Sequence, residues 1–98
     1  MSHTVNLAIQ VLPVHLPQPE AYAIVDAAID CIKASGLSYV VCPFETVIEG
    51  PYEQVMKLVD DIQIACNNAG AQSLLINMKL QRSFTKDIAI DDKIGKYK

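Results

Sequence analysis

Two glutamates four residues apart are the side chains of this sequence best placed to do chemistry. Glu45 and Glu49 lie in the stretch CPFETVIEG, residues 42–50, among apolar residues and directly before a Gly-Pro step. A carboxylate accepts hydrogen bonds from N–H groups, so it can pair with an amino-substituted or protonated nitrogen heterocycle. A carboxylate whose pKa is raised by burial could instead act as a general base. The pair therefore indicates either a ligand-binding site or an acid–base site.

The elements that must position these glutamates follow from the spacing of apolar residues. Strict alternation over residues 5–12 is typical of a half-buried strand, and Pro13 ends it. Pro19 and Pro51 suit the first turn of a helix, whereas Gly36 and Gly70 suit helix ends. The helix after Pro19 has an apolar stripe that is expected to include Tyr22, Val25, Ala28, Ile29 and Ile32. The expected strands are residues 5–12, 38–42, 45–49 and 73–80, and the expected helices run from 19 to 35 and from 51 to 68.

The element order β-α-β-β-α-β predicts an α+β ferredoxin-like sandwich. Two right-handed crossovers interleave into a four-stranded antiparallel sheet with both helices on one face. A chain of 98 residues suits a single domain, so we expect one domain over residues 1–98. This arrangement leaves the opposite face of the sheet, here called the outer face, uncovered.

Alternation assigns a set of polar side chains to the outer face. If Ile48 packs under the helices, Glu45 and Glu49 point the other way. One interpretation is a solvated face with a Glu–Lys cross-strand pair. The other is a polar pocket roofed by a second subunit, which apolar residues on the same face favour. Phe44, at the hairpin bend, could stack on a ligand or simply pack on the hairpin. The polar residues expected on this face are Asn6, Gln10, Glu45, Glu49, Asn77 and Lys79, and the apolar ones are Ala8, Leu12, Val47 and Leu75.

Composition excludes several other classes of function. The net charge is −3 without a basic run, which disfavours nucleic-acid binding. No apolar run is long enough to span a membrane, and the N-terminal residues lack a signal-peptide pattern, so we expect a cytoplasmic protein. Three widely spaced cysteines and two isolated histidines predict neither a disulfide framework nor a metal site. A hydrophobic content of 51% suggests that a partner subunit covers some apolar surface.

Several ordered motifs resemble one protein family. Pro43, Thr46, Glu49 and Gly50 match the signature P-x-x-T-x-x-E-G of the thiamine-binding protein family, formerly a group of uncharacterised small proteins. Further similarities extend over almost the whole chain, in the segments VLP at 11–13, SGLSY at 35–39, GA at 70–71, MKL at 78–80 and DDKIGKYK at 91–98. The resemblance implies a ferredoxin-like fold that assembles into dimers or tetramers.

The resemblance also implies a ligand, which is thiamine or its hydroxymethylpyrimidine moiety, bound without catalysis, metal or cofactor. The resemblance also implies that Thr46 and Glu49, which match the signature, are site residues, although alternation turns Thr46 toward the helices. Two alternatives stay open: a cofactor-free ferredoxin-like isomerase or oxygenase using a hairpin glutamate, and a regulatory module of the amino-acid-binding type. The complete set of expected ligand-binding residues is Glu49, Thr46, Glu45, Asn6, Gln10, Asn77, Lys79 and Phe44.

Overall fold

The sheet contains four antiparallel strands in the order β2-β3-β1-β4, as the ferredoxin-like fold requires. The computed structural model describes residues 3–95. Strands β2 and β3 form the expected hairpin, and β1 lies between β3 and β4. In chain order the elements are β1 (Thr4–Pro13), α1 (Gln18–Ala34), β2 (Ser38–Val41), β3 (Thr46–Pro51), α2 (Tyr52–Asn68), β4 (Leu74–Gln81) and α3 (Ile90–Ile94).

The core lies between the sheet and the helices α1 and α2. Alternation along β1 buries every second residue against the helices, and Ile48 of β3 is fully buried beside Leu7. Each helix contributes a stripe at three- and four-residue spacing. The prediction that Ile48 packs under the helices is therefore confirmed. The buried apolar residues are Val5, Leu7, Ile9, Ile24, Ala28, Ile32, Ile48, Val55, Leu58, Val59, Ile62, Cys66 and Ala71.

Two predicted boundaries around the hairpin are wrong. Strand β3 begins at Thr46 rather than Glu45, because the Glu45 carbonyl accepts a hydrogen bond from the Cys42 N–H at 2.8 Å and closes the turn. The strand also ends later than predicted, although Pro51 stands at the start of the second helix as its N-cap, where the sequence places it; Gly50 and Pro51 both belong to β3. They continue β3 opposite Val5 and Thr4, and α2 starts one residue later.

Tyr22 does not belong to the buried stripe of α1. Its side chain is 62% exposed, whereas Ile24 is almost fully buried. The buried positions of this helix are Ile24, Ala28 and Ile32, each four residues from the next. The stripe therefore lies on a different helix face from the one that includes Tyr22.

The outer face is partly covered, which corrects the expectation of an open sheet. Strand β4 ends at Gln81, opposite Asn6 of β1, and residues 87–94, here called the C-terminal segment, return to that end of the sheet. The Ile88 N–H donates to the Thr4 carbonyl at 2.9 Å, and Asp87 Oδ1 accepts from the Thr4 N–H at 2.7 Å. Helix α3 then lies over the outer face. The end of the tail motif, residues 96–98, lies outside the described residues.

The helices of residues 3–95 include none that is long and apolar enough to cross a membrane.

Candidate functional site

A cleft of about 370 Å³ lies between the outer face of the sheet and α3. Its floor is a row of cross-strand neighbours, Val40, Val47, Ala8 and Lys79, one from each strand. Its roof includes Ile90, Lys93 and Ile94. Asn6 lies at the end of the cleft where the C-terminal segment is bonded to β1, here called the closed end. Small-molecule sites typically enclose about 300–1,000 Å³ and are mostly apolar with a few placed polar groups. This cleft, which we call the outer cleft, has the size and composition for one small heterocycle.

Asn6 is the polar group with the most unusual environment. It lies in the middle of β1, between Glu49 of β3 and Gln81 of β4, and is only 4% exposed. Its Nδ2 donates to the Ile88 carbonyl at 2.9 Å. Since a carbonyl can only accept, this bond fixes the orientation of the amide and leaves Oδ1 on the other side. Among the described side chains, Asn6 Oδ1 is a buried polar atom without a hydrogen-bond partner.

An unpaired buried acceptor has a measurable cost. Desolvating an acceptor without providing a donor costs about 1–3 kcal/mol. Native structures contain few such atoms, and each requires an explanation such as an absent ligand or water. Asn6 therefore marks the place in the outer cleft where an N–H or O–H donor would be stabilised.

Glu49 holds the C-terminal segment instead of lining the outer cleft. Its carboxylate Oε2 accepts from the Ile90 N–H, the first amide of α3, at 3.3 Å. The side chain is half-buried between Asn6 and Ser38 on the outer face. A carboxylate has about four acceptor sites, so Glu49 retains capacity for a further donor. Asn6 and Glu49 thus lie side by side, and both bind the same segment.

Thr46 and Phe44 lie at a second cavity, on the helix side of the sheet. This cavity has a volume of about 410 Å³ and separates α1 from the β2–β3 hairpin. Thr46 is 7% exposed there, whereas Phe44 at the hairpin bend is 81% exposed. The two signature residues Thr46 and Glu49 are three positions apart in β3 and therefore lie on opposite faces. The structure does not bring Thr46 or Phe44 to the outer cleft.

The remaining predicted residues meet at a third, polar cleft further along the outer face. It is lined by Gln10, Glu45, Asn77 and Lys79, and Asn77 Nδ2 donates to Gln10 Oε1 at 3.2 Å. Lys79 lines both this cleft and the outer cleft. Within residues 3–95 neither glutamate forms an ion pair with Lys79, because β1 lies between β3 and β4. The cross-strand Glu–Lys pair of the first interpretation is therefore absent from the described residues.

Sequence reasoning missed the residues of α3 that roof the outer cleft. Ile90, Lys93 and Ile94 are spaced i, i+3 and i+4, which places them on one helix face. That spacing was a usable signal, but five helical residues are too few to indicate which surface they cover.

The cysteines and metal-binding groups add no second site. Burial raises the pKa of the Cys66 thiol, and burial followed by the nearby Asp61 carboxylate raises that of Cys31. Both thiols therefore resist ionisation to the reactive thiolate. No group of three His, Cys, Asp or Glu side chains that could hold a metal ion occurs within residues 3–95.

The fold and the outer cleft together define a ferredoxin-like protein with a candidate ligand site on its sheet. The profile of the family described as "Thiamine-binding protein" matches residues 7–98, and the chain belongs to this family. The UPF0045 protein CPE1503 of Clostridium perfringens is 30% identical over 95 residues, which cover 97% of this chain and 98% of that protein.

Solved structures agree with this assignment. A domain of unknown function, DUF77, from Bacillus cereus has a TM-score of 0.89 and 31% identity, over 100% of this chain and 93% of that one. A putative thiamine biosynthesis/salvage protein from Thermotoga maritima has a TM-score of 0.88 and 25% identity, over 97% of this chain and 99% of that one. The similarity therefore extends over the complete fold, including the segment that roofs the outer cleft.

Proposed function

We propose that this protein binds thiamine or its hydroxymethylpyrimidine moiety in the outer cleft, without catalysing a reaction. The observation that carries the proposal is the unpaired, buried Oδ1 of Asn6 at the closed end of a ligand-sized cleft. Membership of the thiamine-binding protein family supports a thiamine-related ligand. The Thermotoga maritima protein, whose name refers to thiamine biosynthesis or salvage, supports the same class of ligand.

An aminopyrimidine supplies the hydrogen-bond donor that Asn6 Oδ1 lacks. Its exocyclic amino group is a donor that can pair with Asn6 Oδ1. Its flat ring fits over the apolar row formed by Ala8, Val40 and Val47, where ring burial contributes about 25 cal/mol for each Å² removed from water. The apolar floor stabilises the ring, and the polar end fixes its orientation.

The C-terminal segment controls access to Asn6. Oδ1 is out of reach of water, and Nδ2 of the same amide is bonded to the Ile88 carbonyl of the segment. In the proposed binding mode the segment shifts to let a ligand donor reach this oxygen, and it closes again over the bound ring. Such a local opening is inexpensive for a short terminal element with few buried contacts.

Binding is favoured over catalysis by the position of the candidate base. Glu49, the best general base in the sequence, is bonded to the Ile90 N–H and does not line the outer cleft. The described lining residues include no imidazole, carboxylate or hydroxyl group, and their ionisable groups are the amines of Lys79 and Lys93 and the thiol of Cys42. The Cys42 thiol also lines the cleft, and its Sγ donates weakly to the Val40 carbonyl at 3.9 Å.

The proposal includes self-association and a cytoplasmic location. Several large apolar side chains of β4 are close to half exposed, among them Leu75 at 54% and Met78 at 47%. Strand β4 is also an edge of the sheet, and an exposed apolar edge favours pairing with another chain. A second copy of this chain is the proposed partner. Light scattering coupled to size-exclusion chromatography should give a dimer or tetramer mass, and a monomer mass would contradict this part.

Calorimetric titration with thiamine and, separately, hydroxymethylpyrimidine tests the function. Wild type should bind at least one of them with a dissociation constant in the micromolar range, about −8 kcal/mol. Ala8→Leu adds an isopropyl group to the floor of the outer cleft and should abolish binding while leaving Asn6 and Glu49 intact. Ala23→Leu, on the exposed face of α1, is the matched control and should bind like wild type.

Each alternative outcome has a definite meaning. Absence of heat with both compounds contradicts the proposed function. Binding that survives Ala8→Leu places the ligand elsewhere, for example in the cavity beside Thr46. Conversion of either compound to a product, detected by mass spectrometry, would favour the enzyme alternative.

A further inference from the structure

The outer cleft has a charge opposite to that of the whole chain. The protein has 11 acidic and 8 basic residues and a net charge of −3. The described residues that line the outer cleft nevertheless include two lysines, Lys79 of β4 and Lys93 of α3, and no carboxylate. The side chains that line the cleft therefore carry two positive charges, and the nearby Glu49 carboxylate is bonded to the Ile90 N–H beside Asn6.

Helix α3 contributes a basic residue, but no acidic one, to the lining of the outer cleft. Its cleft-lining face carries Ile90, Lys93 and Ile94, whereas the two acidic residues of the helix, Asp91 and Asp92, are not among the lining residues. Lys79 occupies the facing position on the sheet, opposite Ala8 in the register. One lysine therefore lines the cleft from its floor and the other from its roof.

Neither lysine is neutralised by a described neighbour. The ion pairs within residues 3–95 involve His3 with Asp87 and Lys57 with Asp61, and not Lys79 or Lys93. Two unpaired ammonium groups at one cleft repel each other, and an anion placed between them replaces repulsion with attraction. Lysine binds phosphate as a compact point charge with three donors.

We infer that the preferred ligand of the outer cleft is the phosphate monoester of an aminopyrimidine. This inference rests on the proposed function and narrows its ligand. The amino group pairs with Asn6 Oδ1 at the closed end, the ring lies on the apolar floor, and the phosphate contacts Lys79 and Lys93. A phosphate monoester carries a charge of about −1.5 to −2 near neutral pH. Thiamine carries a cationic thiazolium ring, which the two lysines repel.

The test compares four probes by calorimetric titration: hydroxymethylpyrimidine, its phosphate monoester, thiamine and inorganic phosphate. On wild type the monoester should bind at least about tenfold more tightly than the alcohol, which corresponds to about 1.4 kcal/mol. Lys79→Met and Lys93→Met retain most of the side-chain length without the charge. Each should reduce the preference for the monoester several-fold, and the double variant should bring the ratio of the two affinities close to one.

The controls separate a specific site from general electrostatics. Lys33→Met makes the same change in net charge on α1, on the other side of the sheet, and should leave the preference intact. Thermal melts of all variants verify folding, which is expected because the substituted lysines are exposed. Raising the ionic strength should weaken monoester binding more than alcohol binding.

The outcomes distinguish this inference from the proposed function. Equal or tighter binding of the alcohol or of thiamine overturns the inference and leaves the proposed function standing. A monoester preference that persists in the double variant also overturns it, because the phosphate is then bound elsewhere. Inorganic phosphate binding as tightly as the monoester overturns it, since the ring then contributes nothing. Failure of all the pyrimidine probes and of thiamine overturns both proposals.

Discussion

Replacing Asn6 by leucine should remove ligand binding while leaving stability almost unchanged. Leucine has nearly the shape of asparagine but offers neither a donor nor an acceptor. Most substitutions of a residue that is only 4% exposed destabilise a protein, so a neutral result at this position would be unusual. The expectation follows from the two ends of the Asn6 amide, which make opposite contributions to the unliganded fold.

The magnitudes can be worked out for each end of the side chain. Removing Nδ2, which donates to the Ile88 carbonyl at 2.9 Å, leaves that carbonyl without its donor and costs about 1–3 kcal/mol. Removing the unpaired Oδ1 recovers its desolvation penalty, about 1–3 kcal/mol. The two terms nearly cancel, so the free energy of unfolding should change by less than about 1 kcal/mol. Ligand affinity should fall at least about tenfold, because the bound amino group loses its acceptor.

Urea denaturation of the unliganded protein measures the first quantity, and calorimetric titration measures the second. Asn77→Leu is the matched control, because Asn77 is on the same sheet face but exposed and outside the outer cleft. It should change neither quantity appreciably. A loss of more than about 2 kcal/mol in Asn6→Leu with unchanged ligand affinity would refute the reasoning. Oδ1 would then have a structural partner, such as a buried water, in solution.

Three further perturbations test the surroundings of the site. Glu49→Ala removes the acceptor of the Ile90 N–H, so native-state hydrogen exchange at that amide should accelerate about tenfold. In Glu49→Gln, which keeps a carbonyl oxygen, the same amide should exchange nearly as in wild type. Equal exchange rates in the two variants would contradict the role of Glu49 in docking α3. Gly36→Ala should lower the free energy of unfolding measured in urea by about 1 kcal/mol, because Gly36 has a φ of 78° that alanine adopts only with strain, while the space around it is open. An unchanged urea midpoint would show that this backbone strain is absent. Burial raises the pKa of the Cys66 thiol, so the thiol of the unfolded chain loses its proton first and the free energy of unfolding should fall as pH rises above about 8.5. Between about pH 7 and 10 the free energy of unfolding of Cys66→Ala should depend less on pH than that of wild type. Identical pH dependence in the two proteins would mean that the pKa of Cys66 does not change on folding.

The fold was predictable because its signals are local. Alternation in β1 and the stripe of α2 name the core residues directly, and the hairpin register follows from which side of β3 is apolar. The errors fall where local preference competes with pairing. Gly50 and Pro51 resemble a helix start, but pairing with β1 keeps them in the strand, and the helix begins at Tyr52.

The site was only half predictable, because its roof depends on contacts that are distant in sequence. Alternation correctly placed Asn6, Glu49 and Lys79 on the outer face. The bond that makes Asn6 unusual joins it to Ile88, 82 residues away, and no local pattern reveals such a pair. The same limitation affected Glu49, for which sequence predicts a ligand contact and the structure shows an anchor for α3.

The arrangement around Asn6 makes ligand binding and docking of the C-terminal segment depend on each other. One end of its amide holds the segment through the Ile88 carbonyl, and the other end is the proposed acceptor for the ligand. In the proposed binding mode the segment shifts to admit a donor to Oδ1, yet Ile90, Lys93 and Ile94 contribute to the cleft only when α3 is docked. A ligand that contacts these residues therefore binds the docked state more tightly than the undocked state, and this difference in affinity is the amount by which it stabilises the docked segment. By linkage, any partner that binds the undocked segment must weaken ligand binding by the same factor.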